Sequence, residues 1–161
     1  DPGCLTLEVT EEAVVRNIAF AGKMMNEFRL MGIKTSMDDF GIGYSSLSQL
    51  QQLPLDELKI DKTFVTSLPE SKHNTAIVKA VIDMAHDLGL EVVAEGVETA
   101  AALDWLQQHG CERAQGYYFS PPIPADDYID WLNRWEKLTT ANKKLDLTQT
   151  NLRQLMPDIA G

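Results

Sequence analysis

Residues 33–43 read IKTSMDDFGIG, a short β-rich run that leads into two adjacent aspartates and a loop with two glycines. The run predicts a β-strand over 33–37, followed at once by Asp38 and Asp39. Neighbouring carboxylates repel each other, and glycine allows the chain to turn sharply after a strand. The stretch is therefore either an exposed turn or a metal site, and its strand belongs to a repeating unit.

The repeating unit is a short strand followed by a longer helical pattern. Further strands are predicted over 5–9, 55–60, 91–95 and 111–115. Helices are predicted from Thr10 to Gly32, around 46–52, and over 74–88, 99–109 and 125–136. Parallel neighbours need crossovers of this length, so the order predicts an α/β fold with about five parallel strands. Such strands fit an open sheet or part of a (β/α)8 barrel.

Composition limits the classes of partner. The chain has 161 residues, enough for one domain, and a formal charge of −10. That charge argues against nucleic-acid polymers and anionic membranes, whereas a small phosphorylated ligand is allowed if bound divalent cations carry the positive charge. No apolar run reaches the roughly 18 residues of a membrane span. Cys4 and Cys111 are expected to be buried free thiols in a reducing cytosol.

The C-terminal residues show a different pattern. Leu138, Leu145 and Leu152 are seven residues apart, which predicts a helix with a heptad-like seam over two to three repeats. The seam fits a coiled coil or a solvated helix that packs back on its own domain.

Polar side chains stand at the carboxyl end of every predicted strand. The carboxyl ends of parallel strands lie on one side of a sheet, where ligands bind, so we expect these side chains to converge. Carboxylates gathered there need a cation, and oxygen ligands suit Mg²⁺ or Mn²⁺, with adjacent aspartates suiting two ions. The residues are Glu8, Asp38, Asp39, Lys59, Glu95 and Gln115.

Each of these residues alone fits an ordinary role, such as a helix N-cap or a solvated charge. Their agreement in position over five strands is what indicates a site. The histidines, His73, His86 and His109, do not lie at a strand's carboxyl end and are expected to be surface or capping residues.

Five ordered motifs then carry a resemblance to a known family. They are LEVTE (7–11), DDFGIGYSSL (38–47), LKIDK (58–62), VAEGVET (93–99) and AQGYYFSPPIP (114–124). With them the chain resembles the EAL-domain family of bacterial cyclic di-GMP (c-di-GMP) phosphodiesterases over about residues 5–133. The resemblance implies a (β/α)8 TIM-type barrel that binds two divalent cations, Mg²⁺ or Mn²⁺, and hydrolyses c-di-GMP to linear pGpG.

The resemblance also implies roles for individual residues. Lys59 would contact the attacking water or the phosphate, Glu95 would be a general base or a ligand of the second metal, and Gln115 would position the water or the metals. Asp38 would bridge the two ions. The implied metal ligands are Glu8, Asp38, Asp39 and Glu95. Around them, Glu11 would anchor the loop Phe40–Ser46, and Asp61 and Glu98 would support the site.

The chain departs from the family pattern in several places. The Glu-Ala-Leu segment that names the family is not in this sequence, and Ile42 and Pro121 stand where small and basic residues are common. We expect residues 1–135 to be the C-terminal part of an EAL domain and 136–161 a helical tail. The chain alone is expected to be inactive. As an open barrel fragment with an apolar interior, it is also expected either to associate with copies of itself or to be a proteolytic remnant held by crystal contacts.

The parent protein is expected to carry an upstream sensor or GGDEF-type domain and to act in the cytoplasm, with or without a membrane anchor. Two alternatives to a phosphodiesterase stay open. One is a non-catalytic c-di-GMP receptor that signals through its loop and dimer interface. The other is a glycosidase that uses Glu8 and Glu95 as a carboxylate pair, which leaves Asp38, Asp39 and Lys59 without a role.

Overall fold

The computed structural model describes residues 1–42 and 50–144. The chain divides into two compact units, Asp1–Phe119 and Ser120–Gly161, and each is described by itself. Among the described residues, no helix is both long and apolar enough to cross a membrane.

The first unit is built on one sheet of five parallel strands. Their order in the sheet is the same as their order in the chain, and every neighbouring pair is parallel. Doubly wound open sheets reverse their strand order at a switch point, whereas a barrel adds strands in sequence. The strands thus form part of a (β/α)8 TIM-type barrel, which confirms the predicted class. They are β1 (Thr6–Thr10), β2 (Lys34–Phe40), β3 (Glu57–Ile60), β4 (Glu91–Ala94) and β5 (Arg113–Ala114).

Helices connect the strands and begin at side-chain caps. Thr10, Asp61, Ser71 and Thr99 each accept a hydrogen bond from a backbone N–H of the first turn that follows. Short 3₁₀ turns occur at Pro2–Cys4 and Ala125–Asp127. Cys4 is exposed in the first of them, so the expectation that this thiol is buried was wrong. Within the described residues, the α-helices whose bounds the structure gives are α1 (Glu11–Arg16), α2 (Ile18–Leu30), α3 (Lys62–Val65), α4 (Lys72–Asp87), α5 (Ala100–Gln108) and, in the second unit, α6 (Tyr128–Lys144).

Several predicted boundaries were wrong. The single helix predicted after Thr10 is two helices, because Asn17 leaves helical geometry (φ −157°, ψ 79°) and its side chain caps α2 at the amide of Phe20. The short helix α3 was not predicted. β5 has two residues in place of the five predicted. Most of the helix predicted around 46–52 lies outside the described residues.

The two faces of the sheet differ in character. One face packs against the helices through fully buried side chains, among them Met37, Leu58 and Ile60. The opposite face, which lines the inside of a barrel, carries ion pairs between strands, as at Lys59 and Arg113. The expectation of an apolar interior was therefore wrong, because charged residues alternate with the core residues along these strands.

The second unit contains α6, whose start carries a row of stacked rings. The ring centroids of Tyr128 and Trp131 are 5.9 Å apart, and those of Trp131 and Trp135 are 5.8 Å apart. The helix runs on to Lys144 and so passes the position 135 at which we predicted the end of the EAL portion. That boundary stays a prediction. The heptad-like seam lies mostly outside the described residues.

Candidate active site and metal centre

Lys59 lies at the centre of a group of carboxylates from three strands. Its Nζ is 2.7 Å from Oε1 of Glu95, 2.9 Å from Oε1 of Glu8 and 3.1 Å from Oδ1 of Asp38. Glu8 is the middle residue of β1, Asp38 and Lys59 lie in the last halves of β2 and β3, and Glu95 follows β4 directly. The structure therefore brings these four residues together, as predicted from the direction of the strands.

The Lys59 ammonium is held in its charged form. Its side chain is only 5% exposed. Burial alone lowers the pKa of a lysine, but the neighbouring carboxylates of Glu95, Glu8 and Asp38 outweigh burial and raise the pKa of Lys59 well above its usual range. One positive charge thus faces three negative ones, which leaves the group with a net negative charge.

Two of these carboxylates, together with Asp39, also form a possible metal site beside this lysine. Asp38, Asp39 and Glu95 each offer an oxygen, and these atoms all lie within 4.8 Å of one another, close enough to share a metal ion. Oδ1 of Asp38 is buried and accepts no well-directed hydrogen bond from the residues that the structure describes, although Lys59 Nζ lies at ion-pair distance. A buried carboxylate oxygen that lacks a well-directed hydrogen bond is suited to bind a cation.

A distortion of β2 allows both adjacent aspartates to join the group. Consecutive side chains in a regular strand point to opposite faces. Here the register with β3 shifts between Met37 and Phe40, and Asp39 has a positive φ of 57°. Aspartate tolerates this left-handed geometry better than most residues. β2 continues through the pair to Phe40 and does not end at the aspartates as predicted.

Gln115 extends the group from the end of β5. Its Nε2 donates a hydrogen bond to Oε1 of Glu95 at 2.7 Å, the same oxygen that pairs with Lys59. The next residue has to be glycine, because a Cβ on Gly116 would lie 2.2 Å from the carbonyl oxygen of Val97. The chain therefore passes very close to the loop after β4, which brings Gln115 next to Glu95.

The three supporting residues have different surroundings. Glu11 is buried, and its Oε2 accepts a hydrogen bond from the amide of Gly41 at 3.3 Å, so it contacts the start of the loop it was predicted to anchor. Asp61 is also buried, but its side chain caps α3 at the amide of Thr63. Glu98 is exposed, and no hydrogen bond joins it to the other site residues within the described part of the chain.

Two residues near the site were missed from sequence. The Ser36 hydroxyl is fully buried and has no hydrogen-bond partner among the described residues. Ser36 is two residues before Asp38, so strand alternation could have placed it on the same face. The ring of Phe64 lies against Gly41, where a Cβ would be 3.0 Å from the ring. Nothing in the sequence separates Phe64 from an ordinary core residue.

The comparison with protein families agrees with these features. The sequence matches the EAL domain family over residues 1–122, and the chain belongs to that family. A curated relative, the cyclic di-GMP phosphodiesterase NbdA of Pseudomonas aeruginosa, is 48% identical over 120 residues, which is 74% of this chain and 15% of NbdA. The chain thus spans a small part of the curated relatives that it matches.

Solved structures give the same assignment. The PaMucR phosphodiesterase in a c-di-GMP complex has a TM-score of 0.75 and 41% identity, and the match covers 79% of this chain and 51% of that one. MucR of Pseudomonas aeruginosa is named a bifunctional diguanylate cyclase and c-di-GMP phosphodiesterase. BlrP1 of Klebsiella pneumoniae, in a complex with manganese and c-di-GMP, has a TM-score of 0.70 and 40% identity over 76% of this chain and 31% of that one.

Proposed function

We propose that the chain belongs to a phosphodiesterase that hydrolyses c-di-GMP to linear pGpG with two divalent cations, Mg²⁺ or Mn²⁺. The observation that carries the proposal is the carboxylate group around Lys59, with Asp38, Asp39 and Glu95 close enough to share a metal ion. The relatives NbdA and MucR, both named c-di-GMP phosphodiesterases, support the choice of substrate.

The donor set fits hard divalent cations. All candidate ligands are carboxylates, which Mg²⁺ and Mn²⁺ prefer. Asp38, Asp39 and Glu95 would hold the ions, and Glu8, which faces the same lysine, would complete the set. When bound, divalent cations polarise a phosphate and lower the pKa of a water molecule for in-line attack. The manganese complex of BlrP1 supports the choice of metal.

Lys59 and Gln115 supply the groups that do not bind metal. The Lys59 ammonium offers a buried positive charge that would orient the attacking water or a phosphate oxygen. Gln115 keeps one oxygen of Glu95 in place by a hydrogen bond, and the other oxygen of Glu95 would accept a proton or bind metal.

The loop after β2 would be coupled to this site through Glu11. Its carboxylate accepts a hydrogen bond from Gly41, directly after Phe40 at the end of β2. Asp61 would keep β3 and α3 in place by capping the helix, and Glu98 would act at the rim, where it is exposed. These roles are proposals for the loop and the surroundings of the site.

Wider assignments also belong to the proposal. The whole protein would act in the cytoplasm, pair as a homodimer, and carry a sensor or GGDEF-type domain upstream. The diguanylate cyclase activity in the name of MucR supports such a neighbour. A nucleic-acid polymer is a poor partner for a chain with a formal charge of −10.

The test is hydrolysis of c-di-GMP in Mn²⁺ or Mg²⁺, followed by chromatographic detection of pGpG. Asp38→Asn should abolish turnover, and Asp83→Asn, which changes an exposed aspartate paired with Lys79 on α4, should not. The assay is run on this chain and on a longer protein that restores the family's Glu-Ala-Leu segment, because the inactivity of the chain alone stays a prediction. Binding of c-di-GMP without turnover in the longer protein favours the receptor alternative.

A further inference from the structure

Arg113 begins β5 and joins carboxylates of two other strands. Its Nη1 lies 2.6 Å from Oε2 of Glu57 in β3, and its Nη2 forms an ion pair with Oε2 of Glu91 in β4. Lys34, the first residue of β2, reaches the same oxygen of Glu91 at 3.7 Å. We call these four residues the basal cluster. They lie at the amino ends of four consecutive strands, opposite the end that carries Lys59.

The strand that Arg113 begins is weakly held by its backbone. β5 pairs with β4 through two residues, Arg113 and Ala114. Beyond the strand, the amide of Gln115 donates to the carbonyl of Ala94, and its carbonyl accepts from Val97. All these bonds run to β4 and the loop after it. A strand attached along one edge can pivot about that edge.

Arg113 adds an attachment of a different kind. Its guanidinium reaches across β4 to Glu57, whose side chain is only 6% exposed. A planar guanidinium can bind two carboxylates at once and fixes their relative positions. Arg113 therefore connects β5 to both β4 and β3. The ion pair with Glu57 of β3 limits rotation of β5 about its edge with β4.

The restriction acts on the same face as the candidate active site. Arg113 and Gln115 are two residues apart, so their side chains leave the same face of the chain. Gln115 in turn donates to Glu95, and Glu95 pairs with Lys59. A rotation of β5 would therefore move the Gln115 amide away from Glu95.

We propose that Arg113 is a positioning residue: through Glu57 and Glu91 it holds β5 so that Nε2 of Gln115 stays on Oε1 of Glu95. The consequence for catalysis rests on the proposed phosphodiesterase function, but the positioning itself does not. Arg113 and Glu57 are 56 residues apart in the sequence. Glu57, Glu91 and Arg113 all lie outside the five family motifs.

The first test observes the Gln115 side-chain amide directly by ¹⁵N NMR of the full chain. Its signal is assigned by its loss in Gln115→Met. In Arg113→Gln we expect this signal to move toward the position of a solvent-exposed glutamine. Arg16→Gln is the matched control, because it removes an exposed arginine that pairs with Glu12 on α1, and it should leave the signal in place. An unmoved Gln115 signal in folded Arg113→Gln overturns the proposal.

If Arg113→Gln does not fold, a second variant, Glu91→Gln, tests the proposal. Glu91→Gln removes the half-exposed arm of the cluster and keeps the pair between Arg113 and buried Glu57. A smaller shift of the Gln115 signal in the same direction supports the proposal. No shift in folded Glu91→Gln contradicts it.

The second test is a double-mutant cycle on turnover, in a protein that hydrolyses c-di-GMP. Arg113→Gln should lower kcat about tenfold and leave KM within about twofold, because it misplaces a group next to the reacting atoms. In a Gln115→Ala background the same substitution should cost nothing further. An equal loss in both backgrounds indicates a merely structural role. If the wild type shows no turnover, the proposed function fails, and the NMR test still decides the positioning.

Discussion

Replacing Lys59 by methionine should unfold the metal-free protein at a lower temperature. The substitution keeps the length and apolar stem of the side chain and removes the charge that faces Glu8, Asp38 and Glu95. Without that charge, three carboxylates face one another in a half-buried group. The variant therefore isolates the electrostatic part of the site.

The size of the effect follows from burial. Removing one partner of a buried ion pair costs about 3–5 kcal/mol in the free energy of unfolding. Glu95 and Asp38 are 17% and 23% exposed, but Glu8 is 51% exposed, and solvent screens its share. We therefore expect about 3 kcal/mol, the lower end of that range. For a chain of this size that corresponds to a fall in Tm of roughly 6–12 °C.

The pH dependence of this contribution has a definite sign. The pKa of Lys59 is raised in the folded protein, so its stabilising effect is fully present below the ordinary lysine pKa of about 10.4. It is lost only as the pH rises past the raised pKa of the folded state. The Tm of the wild type should therefore keep its lysine contribution throughout pH 6 to 9.

Thermal unfolding in EDTA, followed by circular dichroism, measures the effect. Lys79→Met is the matched control, because Lys79 pairs with Asp83 on the exposed surface of α4 and should cost less than about 1 kcal/mol. Mn²⁺ should restore much of the lost Tm in Lys59→Met and bind at least about tenfold more tightly, because a competing cation is gone. A Lys59→Met protein as stable in EDTA as Lys79→Met would refute the reasoning.

Three further predictions concern single residues. Burial raises the pKa of Cys111 to about 11. At pH 8 Cys111 should therefore react with a thiol reagent at least about a hundredfold more slowly than exposed Cys4, which absorbance kinetics can measure. Equal reaction rates would contradict the burial of Cys111. Gly116→Ala should lower the free energy of unfolding in urea by about 3 kcal/mol, because its Cβ would lie 2.2 Å from a backbone oxygen. The control is Gly22→Ala in α2, whose Cβ would meet its nearest atom at 3.7 Å; it should be neutral or stabilise the protein by up to about 1 kcal/mol. Asp38→Asn should abolish Mn²⁺ binding in calorimetry, and retained binding of unchanged strength would remove Asp38 from the ligand set.

The convergence of the site could be predicted from sequence because it depends only on strand direction. Once strands are separated by helices, their carboxyl ends must share one side of the sheet. This argument placed Glu8, Asp38, Lys59 and Glu95 together without any knowledge of angles or distances. The helix starts predicted at Thr10 and at residue 99 follow equally local rules, and Thr10 and Thr99 each cap a helix in the structure.

Other features depend on register, which the sequence pattern does not contain. The irregularity of β2 that lets Asp39 join Asp38 is set by pairing with β3. The basal cluster needs Glu57 and Glu91 to lie side by side, and it needs Arg113 to reach across both. The break at Asn17 was missed because the apolar stripe continues through it in phase from Val14 to Ile18.

The central claim is that the carboxylates around Lys59 form a metal centre for c-di-GMP hydrolysis. The most direct measurement is the rate of pGpG formation from c-di-GMP by a protein that contains this chain together with the family's Glu-Ala-Leu segment. The account predicts turnover that needs Mn²⁺ or Mg²⁺, stops in EDTA and is lost in Asp38→Asn but kept in Asp83→Asn. Turnover that persists in EDTA or in Asp38→Asn, or c-di-GMP binding with no turnover at all, would contradict it.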